Sequence, residues 1–336
     1  MSQYGSLPAE RRDIYTVAWI CALPSEMAAA QAVMDDLHEP LSTHTDDSNT
    51  YLLGNVREHN IAIACLPANQ YGTVNAAIVM SNMKRTFTAI RICLLVGIGG
   101  GVPGSIDLRL GDIVVGTKVV QTDLGKFGRD GRLERTATPK ILHQSLGTAV
   151  STLRARHELG LSRIPSILQQ SFKEGEYSHP GSQNRLFYAD YCHVLSTVSC
   201  DSCDDSKLVR RSPRISKAPV IHYGAIASGN QVIKDSAVRD KVTQELNVIC
   251  FEMEAAGLMD ILPCLPIRGI CDYSDSHKSK EWQRYAAATA AAYARELLEV
   301  FPSTEIHDEN TLGSHSDKQA CENWIEFRSS LIYYFC

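Results

Sequence analysis

At 336 residues the chain is long enough for one large α/β domain, or two ordinary ones, with a full hydrophobic core. Its formal net charge of −5 leaves no basic footprint for DNA or RNA, and no apolar run approaches the roughly 18–20 residues that cross a bilayer. The polar opening (residues 1–13) lacks an apolar secretory stretch and the 11 cysteines follow no regular disulfide framework, so a reduced, cytoplasmic protein is expected, with neither nucleic acid nor membrane as partner.

Residues 17–22 are a short apolar run that stops at Leu23-Pro24-Ser25, and a helical pattern begins around Glu26. Residues 61–66 read as a second strand, and 73–83 as a helix following a turn at Gly72. A strand over 92–96 runs into a glycine-rich bend, Gly97-Ile98-Gly99-Gly100-Gly101-Val102. The β-branched stretch 112–120 is strand-like, 142–157 is helical, and 220–227, 248–251 and 266–271 are further strands. An alanine-rich helix over 282–301 closes the pattern, with Trp282 and Trp19 as core aromatics. Apolar strands of this length alternating with helices predict an α/β fold: a three-layer sandwich with a central mixed, twisted sheet.

Two regions interrupt the alternation. Residues 166–218, rich in Gly, Pro, Ser, Cys and charge, read as an insertion near one sheet edge, of the length that is usually functional or disordered. Residues 303–318 are polar and 324–336 carry scattered aromatics, which reads as a tail outside the core. The expected organisation is an N-terminal segment (1–14), one domain (15–301) holding the insertion, and a tail (302–336).

Chemistry concentrates in two segments. Cys250-Phe251-Glu252-Met253-Glu254-Ala255-Ala256-Gly257 places two carboxylates at the end of an apolar run, and Arg268-Gly269-Ile270-Cys271-Asp272-Tyr273-Ser274-Asp275 ends another on an acid. Glu252 can cap the helix that follows it, and Asp272 and Asp275 can be loop acids. Acids at the C-terminal edges of central strands also sit where open α/β sheets bind ligands. The glycine run is no Walker loop, since no Lys-Ser or Lys-Thr follows, and Pro103-Gly104 replaces the helix of a dinucleotide fingerprint. It is either a tight turn for close packing or a place where backbone N–H groups approach a ligand, a sugar sooner than a diphosphate.

The ordered set Ile20-Cys21-Ala22-Leu23-Pro24-Ser25-Glu26, Gly97 to Gly101, Leu110-Gly111-Asp112-Ile113-Val114, Ala227-Ser228-Gly229-Asn230, Phe251-Glu252-Met253-Glu254 and Arg268 to Asp272 resembles the nucleoside phosphorylase superfamily. It is most similar to the methylthioadenosine/S-adenosylhomocysteine nucleosidase branch. The likeness is closer still to the nucleoside-phosphorylase-like domains of fungal proteins that precede NACHT or ankyrin regions. The resemblance spans about residues 15–301. It implies that Asp272 protonates or hydrogen-bonds N7 of the departing purine, that Glu254 grips the ribose hydroxyls, that Met253 packs on the sugar, and that Glu26 positions water. Gly97, Gly99, Asn230 and Ile233 are read as further substrate contacts. It also implies a homodimer or larger assembly.

Those residue types suit cleavage of an N-glycosidic bond, which passes through an oxocarbenium-like state and needs a proton for the base and an acceptor for the water's proton. Asp272 must then be protonated in the reactive complex, a form that burial favours, while Glu26 must be ionised. Phosphorolytic members use an Arg and a Ser where this chain has Leu95 and Ile98, and an ionised Glu26 repels phosphate, so hydrolysis is favoured. Val232 stands where the nucleosidases carry an aromatic, and Asn230 where an acid often follows Ser-Gly.

In the insertion, Lys207, Arg210, Arg211, Arg214 and Lys217 form a basic cluster. It is either a solvated loop or a clamp whose guanidinium groups hold a 5′-phosphate, as in AMP or ATP. Cys200-Asp201-Ser202-Cys203, with Cys192 and His193 upstream, resembles half of a zinc knuckle. A second close pair is missing and a lone C-x-x-C is a weak signal, so no metal or other cofactor is expected. His277 reads as a surface residue beside the pocket. The sequence thus points to a purine N-ribosyl hydrolase releasing adenine from a nucleoside or nucleotide. The alternatives are a purine nucleoside phosphorylase, which Leu95 and Ile98 oppose, and a non-catalytic nucleotide-sensing module, which the intact Glu26, Glu254 and Asp272 oppose.

Overall fold

The computed structural model describes residues 11–303, apart from 105, 130, 132 and 194–199. The described residues up to Pro302 cluster as one compact unit. The expectations for residues 1–10 and for the tail from 304 onward lie outside the described residues.

In chain order the elements are β1 (Val17–Cys21), α1 (Pro24–Ala32), β2 (Asp36–His38), β3 (Tyr51–Val56), β4 (His59–Cys65), α2 (Thr73–Thr86), β5 (Ile92–Gly101) and β6 (Ile113–Gln121). Short strands β7 (Gly125–Phe127), β8 (Leu133–Arg135) and β9 (Lys140–Ile141) lead to α3 (Gln144–Glu158) and α4 (Ile164–Ser171). Then follow β10 (Ile221–Ser228), α5 (Ser236–Leu246), β11 (Val248–Glu252), α6 (Ala255–Leu258), β12 (Cys264–Asp272) and α7 (Gln283–Leu298). Ten strands form one mixed sheet in the order β11-β10-β6-β12-β5-β1-β4-β3-β2, with β9 on β6.

The apolar strands are apolar throughout because helices cover both faces. Along β1, Val17, Trp19 and Cys21 enter one core with α1, α3, α4 and α7, while Ala18 and Ile20 enter the other with α2 and α6. β4 and β5 divide in the same way, Ile61, Ile63, Leu94 and Val96 to the first core and Ala62, Ala64, Cys93 and Leu95 to the second. This is the period of two that a strand imposes on its side chains. The result is the expected three-layer α/β sandwich. Among the described residues no helix is long and apolar enough to cross a membrane.

The glycine run departs from expectation. No bend interrupts it: β5 stays extended through Gly101 and pairs on both edges. β1 leaves β5 after Leu95, and β11 then takes the vacated edge, antiparallel, with Phe251 opposite Gly100 and Cys250 opposite Gly101. Strands β5, β12, β6, β10 and β11 therefore close into a ring. Gly100 faces Phe251 on one side and Asp272 on the other, which brings the ends of β11 and β12 together.

The stretch from 166 also begins differently, inside α4, whose Ile164 and Ile167 are buried in the first core. Strand β3, the hairpin partner of the expected β4, and the helix α5 escaped the sequence reading. Tyr51–Val56 carries a mid-strand glycine that hides its strand character, and α5 shows itself mainly through Asp235, whose side chain caps Ala237 and Val238.

Candidate active site

The C-terminal ends of β1, β5, β11 and β12 open on one cleft of about 280 Å³, as expected for ligand sites in open α/β sheets. Glu26, Ile98, Gly99, Ile233, Phe251, Glu252, Met253, Glu254, Arg268, Asp272 and Lys278 all line it. Glu26 arrives on the first turn of α1, which Pro24 opens directly after β1. Its Oε2 accepts hydrogen bonds from the backbone N–H of Ala22 (2.7 Å) and Leu23 (3.0 Å), and its Oε1 from that of Ile98 (2.8 Å). A side chain at Gly97 would collide with this carboxylate, since its Cβ would lie 2.3 Å from Glu26 Oε1 and 2.7 Å from Arg268 Nη1. Gly97 thus makes room for the site from behind it.

Arg268 organises the acids. It is 1% exposed, in the middle of β12, and its Nη2 donates to Glu252 Oε2 and, at 3.2 Å, to Glu254 Oε2. Its buried Nε has no partner among the described residues. Glu252 also accepts from the backbone N–H of Glu254 and Ala255 at the start of α6, so its capping role is real. Glu254 Oε1 accepts from the Gly72 N–H at 3.3 Å. Burial lifts the Glu26 carboxyl above its ordinary value, against the pull of Arg268 and three backbone N–H groups. Burial likewise drives Glu254 up to about 7, opposed by Arg268 and reinforced by the charges of Glu252 and Glu26. Arg268 was missed as a site residue, although a charge inside an apolar strand must find a partner and is itself a signal.

Asp272 is half-buried and paired with a cation, an arrangement the sequence did not show. Its Oδ1 accepts from Lys278 Nζ (2.7 Å) and from the Ser274 N–H (2.8 Å). The bare backbone of Gly100 lets this acid come close, as a Cβ there would stand 2.9 Å from Asp272 Oδ1. Lys278, six residues on in an irregular loop, gave no sequence signal. Asp275 is buried nearby, its Oδ1 accepting from the His277 N–H, and it lines a second cavity of about 460 Å³ that shares the wall formed by Cys271 and Asp272.

Five expected contacts do not line the cleft, Gly97 behind it being one of them. Asn230 spends its side chain on structure: Oδ1 accepts from Thr73 at the start of α2, and Nδ2 donates to Asp123. Arg211 donates to Tyr273 Oη and to Asn184 Oδ1. Arg214 forms a bidentate pair with Asp112, which also accepts from His222 Nε2 and the Val220 N–H. Burial pushes the Asp112 carboxyl up, and these partners more than reverse it, leaving it below its ordinary value. Arg210 is exposed and does not line the cleft. The basic cluster follows from neutralising a buried aspartate and docking the segment, because guanidinium forks suit those acceptors as well as phosphate. In the cleft itself four carboxylates face two cations, so its fixed charge is negative.

Comparison with known proteins identifies the family. An NLR-like protein of Hyaloscypha variabilis is 44% identical over 302 residues, 87% of this chain; the chain spans only 30% of that relative's length. The 5′-methylthioadenosine/S-adenosylhomocysteine nucleosidase of Mycobacterium tuberculosis is 24% identical over 85% of this chain and 97% of its own. The structure of Helicobacter pylori futalosine hydrolase superposes with a TM-score of 0.58 at 16% identity, covering 85% of this chain and 98% of that one. Residues 16–299 match the phosphorylase superfamily, and the chain belongs to that family.

Proposed function

We propose that this chain is a purine N-ribosyl hydrolase that releases adenine from an adenine nucleoside. The observation that carries the proposal is the convergence of Glu26, Glu254 and Asp272 on one cleft, where the buried guanidinium of Arg268 holds Glu254 and Lys278 holds Asp272. The names of the mycobacterial nucleosidase and the futalosine hydrolase are consistent with it.

Asp272, in its protonated form, is the proton donor to the departing base, and the Lys278 ammonium at 2.7 Å is placed to hold the carboxylate left behind. Glu254 accepts from the ribose hydroxyls, and Glu26, oriented by three backbone N–H groups, receives the proton of the attacking water. An excess of fixed negative charge favours the positive charge that develops on the sugar. The same excess repels inorganic phosphate, and Leu95 lies fully buried in the core, where it can hold no anion. Hydrolysis is therefore favoured over phosphorolysis. A plain nucleoside is favoured over AMP or ATP, because both cations of the cleft are already paired with carboxylates.

The test is chromatographic detection of free adenine from adenosine, methylthioadenosine, AMP and ATP, each with and without phosphate. Phosphate-independent release, fastest on a nucleoside, is expected. Acceleration by phosphate would make the protein a phosphorylase, and no release from any substrate would make it a binding module. Light scattering decides whether the proposed homo-oligomer forms.

A further inference from the structure

We propose that His193, Cys200, Cys203 and His277 form a tetrahedral site for a structural zinc ion. The sequence offers only a lone C-x-x-C, and the fold supplies the other half. The donor atoms of His193, Cys200 and Cys203 lie within 4.8 Å of one another. A fourth donor comes from a distant segment: His277 Nδ1 is 3.7 Å from Cys200 Sγ and 3.8 Å from Cys203 Sγ. With Zn–S near 2.3 Å and Zn–N near 2.0–2.1 Å, a tetrahedral site has sulfur–nitrogen edges of about 3.6 Å. The two edges to His277 need only a slight contraction, while His193 and His277, whose ring centroids are 5.4 Å apart, must draw together around the ion.

The surroundings fix the ligand rather than merely crowding it. His277 Nε2 lies 3.0 Å from the Tyr191 carbonyl oxygen, an acceptor that calls for the proton on Nε2 and leaves the Nδ1 lone pair facing the two sulfurs. A backbone carbonyl on the far nitrogen is the usual orienting partner of a metal-bound imidazole. The His277 ring stacks on Phe187 with centroids 4.1 Å apart, and the His193 N–H donates to Ser276 Oγ at 3.0 Å. Two thiolates and two neutral imidazoles balance a divalent ion and suit zinc, whereas magnesium and calcium take oxygen ligands.

The ligands join two parts of the chain. Three come from the segment preceding β10, and His277 belongs to the loop after β12, next to the Lys278 that pairs with Asp272. Zinc would clip that segment to the loop whose Lys278 holds the proposed acid. The site does not depend on the proposed reaction, and its test reads metal and stability instead of turnover.

The test uses the full chain, free of any affinity tag, purified from zinc-supplemented cells, with metal counted by mass spectrometry. About one zinc per chain is expected, falling to under about a tenth in Cys200→Ser/Cys203→Ser and unchanged in Cys192→Ser. His277→Gln should weaken zinc at least about tenfold, the lower bound for losing even an outer-shell partner. Wild-type protein stripped by chelator should melt at lower temperature, and added cobalt(II) should give tetrahedral visible bands with thiolate-to-cobalt charge transfer. Wild-type protein with under about a tenth of a zinc per chain and no cobalt charge-transfer band would overturn the proposal. So would a Cys200–Cys203 disulfide in the purified protein, or full zinc retention by the double variant.

Discussion

Replacing Arg268 with Met tests the electrostatic core of the cleft. Methionine keeps most of the aliphatic stem and removes the guanidinium, which is 1% exposed and pairs with both Glu252 and Glu254. Deleting one partner of a buried ion pair costs about 3–5 kcal/mol, a large part of the roughly 5–15 kcal/mol that holds a domain folded. The loss must also depend on pH, with a definite sign. Burial, opposed by Arg268 and reinforced by Glu252 and Glu26, holds Glu254 at about 7, and removing Arg268 raises it further. A carboxyl raised on folding stabilises the protein when protonated, and that contribution fades as pH rises through its folded value. Between about 7 and the variant's higher value, the variant is protonated while the wild type is ionised. As pH falls through that interval, the stability gap should shrink by about 1.4 kcal/mol per unit. Below about 7 Glu254 is protonated in both and its share of the gap should level off. Urea unfolding followed by circular dichroism, from about pH 9 down to about pH 6, measures it. An unchanged midpoint, or a gap that widens as pH falls, would refute the account.

Three further outcomes follow from the same geometry. Asp272→Asn should stay folded and lose about 10²–10⁴-fold in kcat in the adenine-release assay; near-normal turnover would move the proton donor to Asp275 or Lys278. Wild-type activity should decline as pH drops below about 7, where Glu254 takes up a proton and its grip on ribose hydroxyls weakens, and a profile flat down to about pH 5 would contradict that role. Arg214→Ala should cost about 1–3 kcal/mol, since the buried Asp112 loses its bidentate partner but keeps His222 and the Val220 N–H, with the ratio of adenosine to AMP turnover unchanged. A loss on AMP alone, read in the same assay, would restore the phosphate clamp.

Short-range pattern made much of this protein readable. The even division of Val17, Ala18, Trp19 and Ile20 between two cores is a property of any buried strand, so apolar runs and their order told the fold class. The acids Glu254 and Asp272 stood out because each follows an apolar run, where strand ends meet ligands, whereas Glu26 was marked only by the family resemblance. What the chain's order does not carry is which distant groups end up within 4 Å. Arg268 and Glu254 are 14 residues apart and become an ion pair only because β11 closes onto the glycine edge of β5. Arg214 looked free and is held by Asp112, 102 residues away. Cys200 and His277, 77 residues apart, face each other across a loop that no periodicity describes. Backbone pattern is written locally, whereas the pairing of charges and ligands depends on strand closure and loop path, and those exist only once the chain has folded.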